Sequence, residues 1–158
     1  MFYKVLGSGL LILAAWRTER YMTRRGRGSI ERLGAFLQLL SLLGREVTEV
    51  GRPIGEILRM VPERIWRLCV GEGTGERTWE HLRRGAASLA DAPGRRLLLA
   101  FFAVPPGASR TEFLARLRNA STGAEERYAA LAREVPRECK NIRVLIYSIL
   151  AMTLILLW

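Results

Sequence analysis

The chain has 158 residues, 49% of them apolar and 25% charged, with 25 Lys and Arg against 15 Asp and Glu and a net charge of +10. That length suits about one domain between its apolar ends, and Cys69 and Cys139 are too few and too unpatterned for a disulfide framework or a four-ligand zinc site. The positive balance points to anionic lipid, nucleic acid or an acidic partner without choosing among them. Only Lys4 and Lys140 are lysines, and so much arginine reads first as genome base composition.

Apolar and charged residues are segregated. The runs Val5 to Trp16 and Val144 to Trp158 hold no charge, while almost every ionisable group lies between them. A membrane-spanning helix needs about 20 residues, so each run is short and draws on its flanks, Met1, Phe2, Tyr3 and Lys4 at one end and Ile142 at the other. A cleavable signal peptide is the competing reading of the first run, but Ala14, Ala15 and Trp16 make a poor cleavage site. Arg17, Arg20, Arg24, Arg25 and Arg27 follow the first run, and Arg133, Arg137, Lys140 and Arg143 precede the second. The positive-inside effect therefore puts the body in the cytoplasm and both ends outside. Trp16, Arg17, Arg20, Lys140 and Arg143 become membrane-interface anchors, with Tyr3 and Trp158 at the outer surface. The expected organisation is a transmembrane helix over 1–16, a cytoplasmic helical domain over 17–141 and a second transmembrane helix over 142–158.

Within the body, Ser29 reads as the N-cap of an amphipathic helix carrying Ile30, Leu33, Phe36, Leu37, Leu40, Leu43, Val47 and Val50 at helical spacing. Gly51 ends it in the left-handed conformation, and Pro53 opens a short helix to Met60. Pro62 opens a third, with Ile65, Trp66, Leu68, Cys69 and Val70 as an apolar patch, before the loop Gly71 to Gly75. The segment Thr74 to Leu89 puts Trp79, Leu82 and Ala86 on one face, and Asp91-Ala92-Pro93-Gly94 is punctuation. Leu97 to Val104 would pass for a strand on periodicity, but no partner strand exists, so it is expected to be a buried helix. Ser109 and Glu112 make a capping box for a long last helix through Phe113, Leu114, Leu117, Tyr128 and Leu131, with breaks near Gly123 and Pro136. The fold class is all-α, a bundle of about six helices flanked by N- and C-terminal transmembrane helices.

Chemistry is sparse. His81, the only histidine, has no Cys or His at metal spacing and reads as an exposed helix residue. Gly71, Gly73 and Gly75 lack the preceding strand and following Lys-Ser or Lys-Thr of a phosphate loop. No catalytic, cofactor-binding or metal-binding residue is expected, and the chain is read as a non-enzyme. Nucleic-acid binding by a membrane-tethered basic protein is the alternative function. The pairs Glu63-Arg64, Glu76-Arg77 and Glu126-Arg127 weigh against it, because interleaved charge is the pattern of a solvated face.

Leu33, Leu40, Leu43, Glu46 and Val47, followed by Pro53-Ile54-Gly55-Glu56-Ile57-Leu58, match without gaps a Leu-rich helix and a Pro-Leu-x-Glu-x-Leu element. Lys140 and Arg143, three apart, lead into the last apolar run. On these residues the chain resembles the stage III sporulation protein AB family of endospore-forming bacteria. The middle departs from the family's Ser-Asp-Arg-Glu-Gly-Gln stretch, keeping only Ser109 and Glu112 of Ser109-Arg110-Thr111-Glu112-Phe113-Leu114. The resemblance implies a helical cytoplasmic domain similar to the platform proteins of type II secretion and type IV pilus machines. It further implies a non-catalytic scaffold in the mother-cell membrane around the forespore, within a channel complex and docked to its hexameric secretion-type ATPase. Glu46, Pro53, Glu56, Ser109 and Glu112 become candidate partner contacts, although glutamates on helices more often face solvent. The sequence leaves homo-oligomerisation open.

Overall fold

The computed structural model describes residues 2–72, 75–107 and 109–157, excluding the side chains of 2–8, 11, 22, 25, 154, 156 and 157. The membrane roles expected of Met1, Phe2, Tyr3, Lys4 and Trp158, the loop residue Gly73 and the first residue of the segment Thr74 to Leu89 lie outside this description. Among the described residues there are six α-helices and no strand. They are α1 Phe2–Arg45, α2 Ile54–Met60, α3 Glu63–Val70, α4 Trp79–Ala87, α5 Ala92–Phe102 and α6 Arg110–Leu157, with a π-helical turn Glu46–Val50 closing α1. The all-α expectation and the count of about six helices hold.

Several boundaries move. α1 runs unbroken through Gly26, Gly28 and Ser29, so Ser29 starts no helix. Gly26 is occupied by packing, since a Cβ there would lie 2.7 Å from Val135 Cγ1. The last helix likewise passes Gly123 and Pro136 without a break. A side chain at 123 would overlap Leu97, and Pro136 forfeits a single bond, to the carbonyl of exposed Ala132, which water can serve. Within the Thr74 to Leu89 segment the helix α4 begins at Trp79, capped by Thr78, which accepts from the His81 N–H at 3.4 Å. His81 is consequently half-buried, its Nδ1 2.7 Å from Thr78 Oγ1, rather than exposed. Asp91-Ala92-Pro93-Gly94 is the start of α5 itself: Asp91 accepts from Gly94 N–H at 2.8 Å, with proline in the first turn.

The chain forms two units, Met1–Gly28 with Leu131–Trp158, and Ser29–Ala130. The core of the second draws Leu33, Phe36, Leu40 and Leu43 from α1, Ile57 from α2, Trp66 and Cys69 from α3, Leu82 and Ala86 from α4, and Leu98 from α5. Phe36, Trp79, Phe101, Phe102 and Phe113 form one aromatic cluster, with Trp79 and Phe102 centroids 4.9 Å apart at a T-shaped angle. The indole Nε1 of Trp79 donates to the Phe102 carbonyl at 3.0 Å, so the polar end of this half-buried ring is satisfied.

In the first unit α1 and α6 lie antiparallel. Glu19 meets Arg143 at 2.6 Å and Gly26 backs onto Val135, so the numbering falls along one helix as it rises along the other. Tyr147 adds a hydroxyl donated to Glu19 Oε2 at 3.2 Å. The α6 seam Val135, Cys139, Ile142, Ile146 and Leu150 recurs at 4-3-4-4 spacing, one helical stripe, and is shielded relative to its neighbours. No helix among the described residues is long and apolar enough to cross a membrane.

Candidate functional site

The end of α1 departs from ordinary helix geometry, and that departure builds a cleft. Over Glu46–Val50 the helix widens to a π turn, which Gly51 closes at φ 70 with its N–H on the Glu46 carbonyl at 2.9 Å. The wider turn shifts the helical phase, so Val50 faces out at 55% exposure where helical spacing alone places it inward. Glu46 turns in. At 8% exposure it is buried, braced by Arg52 Nη1 at 3.0 Å and Arg45 Nη2 at 3.3 Å. Arg110 reaches across from α6 to donate to the carbonyls of Val47 and Thr48, the latter at 2.9 Å. The result is a cleft of ≈ 440 Å³, with Val47, Arg52, Pro53 and Ile54 on one wall and Pro106, Gly107, Arg110 and Phe113 on the other.

Two segments about sixty residues apart, each singled out by the sequence, thus come together. Pro53 lines the cleft directly, while exposed Glu56, Ser109 and Glu112 sit beside its lining segments in the chain. Glu46 does not belong with them. Expected as a candidate partner contact, it has its carboxylate occupied inside the domain by Arg52 and Arg45. The capping box is half formed, because Ser109 Oγ accepts from Glu112 N–H at 3.4 Å while the Glu112 carboxylate lies 3.9 Å from Arg116.

Neither a family model, nor a curated protein, nor a solved structure matches the chain. The functional reading therefore stands on these residues. Arginines near helix ends are what the sequence conceals. Arg32 donates to the carbonyls of Leu68 and Cys69 at the end of α3 and of Gly85 and Ser88 at the end of α4, at 3.2 to 3.4 Å. Arg77 binds the carbonyls of Arg59 and Val61 behind α2, pairs with Glu63 and lies 5.5 Å over the Trp66 ring. Arg127 grips Asp91 through Nη2 at 2.8 Å and Nε at 3.1 Å, where the Asp91 side chain is only 6% exposed. Burial pushes the Asp91 carboxyl up, but the Arg127 hydrogen bonds, the Gly94 N–H and the Arg127 charge together bring it below its ordinary value. These partners lie 11 or more residues away, so no local pattern announces them.

Cys69 is fully buried, and that burial pushes its thiol up to about 12, against a lesser opposing pull from Arg32. It is a packing residue and no nucleophile at neutral pH. No group of three or more His, Cys, Asp or Glu among the described residues is placed to hold a metal ion. Of the expected membrane anchors, Trp16, Arg17, Arg20 and Lys140 are exposed, with the Arg20 guanidinium 5.1 Å over the Trp16 ring. Arg143 is exposed as well and pairs with Glu19 at 2.6 Å.

Proposed function

We propose that this chain is a non-enzymatic membrane scaffold, a platform subunit of a sporulation channel of the secretion type between mother cell and forespore, whose helical domain docks a cytoplasmic secretion ATPase. One observation carries the membrane part. Of fifteen large apolar side chains exposed among the described residues, eleven lie in the unit that pairs the two chain ends, including Leu10, Leu13, Leu145, Ile149, Met152 and Ile155. A soluble protein rarely leaves such a contiguous apolar surface bare, and lipid is the solvent that removes its cost. The uncharged runs Val5 to Trp16 and Val144 to Trp158 supply the transmembrane helices of this reading, and their outermost residues lie beyond the described side chains. The arginines that follow one run and precede the other favour a cytoplasmic body.

The docking part draws on the cleft beside the π turn, because π turns mark functional positions in helices more often than chance. It draws also on the family-like segment Pro53 to Leu58, whose first residues form one wall. Reporter tags at the N-terminus, near Gly73 and at the C-terminus test the topology. Ends reachable from outside intact cells with a protected centre are expected, and an exposed centre overturns the reading. For docking, Ile54→Asp charges the cleft wall at a half-buried first-turn position where aspartate suits the helix. It is expected to reduce ATPase copurification at least tenfold, and an undiminished yield refutes the cleft as the docking site.

A further inference from the structure

Resting on the membrane reading above, we infer that the paired chain ends carry a collar that binds anionic phospholipid headgroups selectively, beyond what orienting the chain requires. Arg17, Arg20, Arg24 and Arg27 recur at 3-4-3 spacing, which puts all four on one exposed stripe of α1. Arg133, Arg137 and Lys140 recur at 4-3 spacing on an exposed stripe of α6. The antiparallel register set by Glu19 with Arg143 and Gly26 with Val135 brings the two stripes to the same level.

The local charge is strongly one-sided. Residues 17–28 and 131–143 hold nine cations against three carboxylates, so six of the chain's ten net positive charges lie in these 25 residues. Glu19, the carboxylate best placed to neutralise the stripe, is taken by Arg143 and Tyr147. Among the described residues no ion pair engages Arg17, Arg20, Arg24, Arg27, Arg133, Arg137 or Lys140. An exposed cluster of that density repels itself unless counter-charge is supplied from outside.

Length distinguishes the collar from an orientation signal. From Arg17 to Arg27 it extends about 15 Å along the helix, against roughly 5–8 Å for the headgroup layer of one leaflet. Several turns therefore remain within reach of phosphate and of the negative surface potential, which falls off over about 8 Å. Lipid is favoured over nucleic acid because the same helices continue at once into exposed Trp16, Leu13, Val144 and Leu145, a surface that a sugar-phosphate backbone does not cover.

The test uses the full chain reconstituted in phosphatidylcholine vesicles, with spin-labelled phosphatidylglycerol and spin-labelled phosphatidylcholine as probes of the lipid held at the protein. Phosphatidylglycerol is expected to associate at least about threefold more strongly at low salt, with the preference shrinking as salt rises. R20Q/R24Q/R27Q should abolish most of the preference and R133Q/R137Q/K140Q part of it, whereas R20K/R24K/R27K should retain it. Equal association of the two probes in the wild type, or a preference untouched by either glutamine variant, overturns the inference. So does its loss in the lysine variant, which would trace the effect to structure instead of charge. Displacement of the phosphatidylglycerol probe by a 20-base-pair DNA duplex would hand the collar to nucleic acid. Resistance to alkaline extraction is scored in parallel: a chain that resists extraction but shows no preference sinks this inference alone, and one that is extracted sinks the membrane reading beneath it.

Discussion

Replacing Arg32 with methionine tests whether one guanidinium joins the ends of two helices. Methionine keeps the length and apolar stem of the side chain and removes the fork. The last carbonyls of a helix have no intrahelical donor, so losing Arg32 orphans those of Leu68 and Cys69 at the end of α3. On α4 the loss is softer, because the Gly85 carbonyl still accepts from Ser88 N–H at 3.2 Å and from Ser88 Oγ at 2.8 Å. Two partly buried carbonyls at about 1–3 kcal/mol each, discounted because the guanidinium is half-exposed, give a loss of about 2–4 kcal/mol. For a unit of this size that lowers the melting temperature by about 10 °C or more. Urea unfolding of the full chain in mild detergent, followed by the fluorescence of packed Trp66 and Trp79, reads it directly. Arg32→Lys should fall between, since one ammonium reaches fewer carbonyls than a planar fork. A methionine variant within about 0.5 kcal/mol of wild type would refute the argument, as would a lysine variant equal to arginine.

Gly85→Ala should destabilise by about 2 kcal/mol or more despite alanine's better helix propensity, because the new methyl would overlap the Cys69 carbonyl and touch Val70 Cα at 3.1 Å. Gly28→Ala, whose new methyl meets nothing within 4 Å in the middle of α1, should instead stabilise by up to about 1 kcal/mol, and the opposed signs are read in the same unfolding assay. Asp91 supplies a pH dependence. Its folded carboxyl titrates below the ordinary 3.8, so on acidification the unfolded chain takes the proton first. The contribution of the Arg127 pair is therefore whole above about pH 4 and lost as pH falls through the folded value. Asp91→Asn keeps a capping oxygen for Gly94 and should flatten that part of the stability profile; a profile as steep as wild type would place the acid sensitivity elsewhere.

Apolar periodicity made the helical character of the chain legible. Leu33, Phe36, Leu40 and Leu43 are buried where their spacing puts them, and Gly51 ends the helix in the left-handed conformation expected of it. Reading failed where a tertiary contact overrode a local preference. Gly123 looks like a break because glycine weakens an isolated helix, yet it gives room to Leu97, and that room exists only after folding. Glu46 shares its helical face with Ala35, Leu39 and Leu43, so the spacing that buries them also turns its carboxylate inward, where Arg45 and Arg52 meet it. Pro53 and Arg110 meet across a cleft whose walls are separated by more than fifty residues of sequence, and no short-range pattern encodes that meeting.

The excess of arginine separates into two structural roles that base composition alone does not predict. Arg32, Arg77, Arg110 and Arg127 spend their forked donors on carbonyls or on a buried carboxylate, each contact needing a planar group with several fixed N–H directions. Arg17, Arg20, Arg24 and Arg27 face outward and need only a positive charge at intervals. If composition explained both sets, lysine would serve equally in either. The geometry requires an asymmetry: lysine at the four contact-making positions should each time lower the unfolding free energy by about 1 kcal/mol or more, while lysine along the outer stripe leaves it unchanged. Uniform tolerance across the two sets would return the arginines to composition and remove the helix-end contacts from the account of what holds Ser29–Ala130 together.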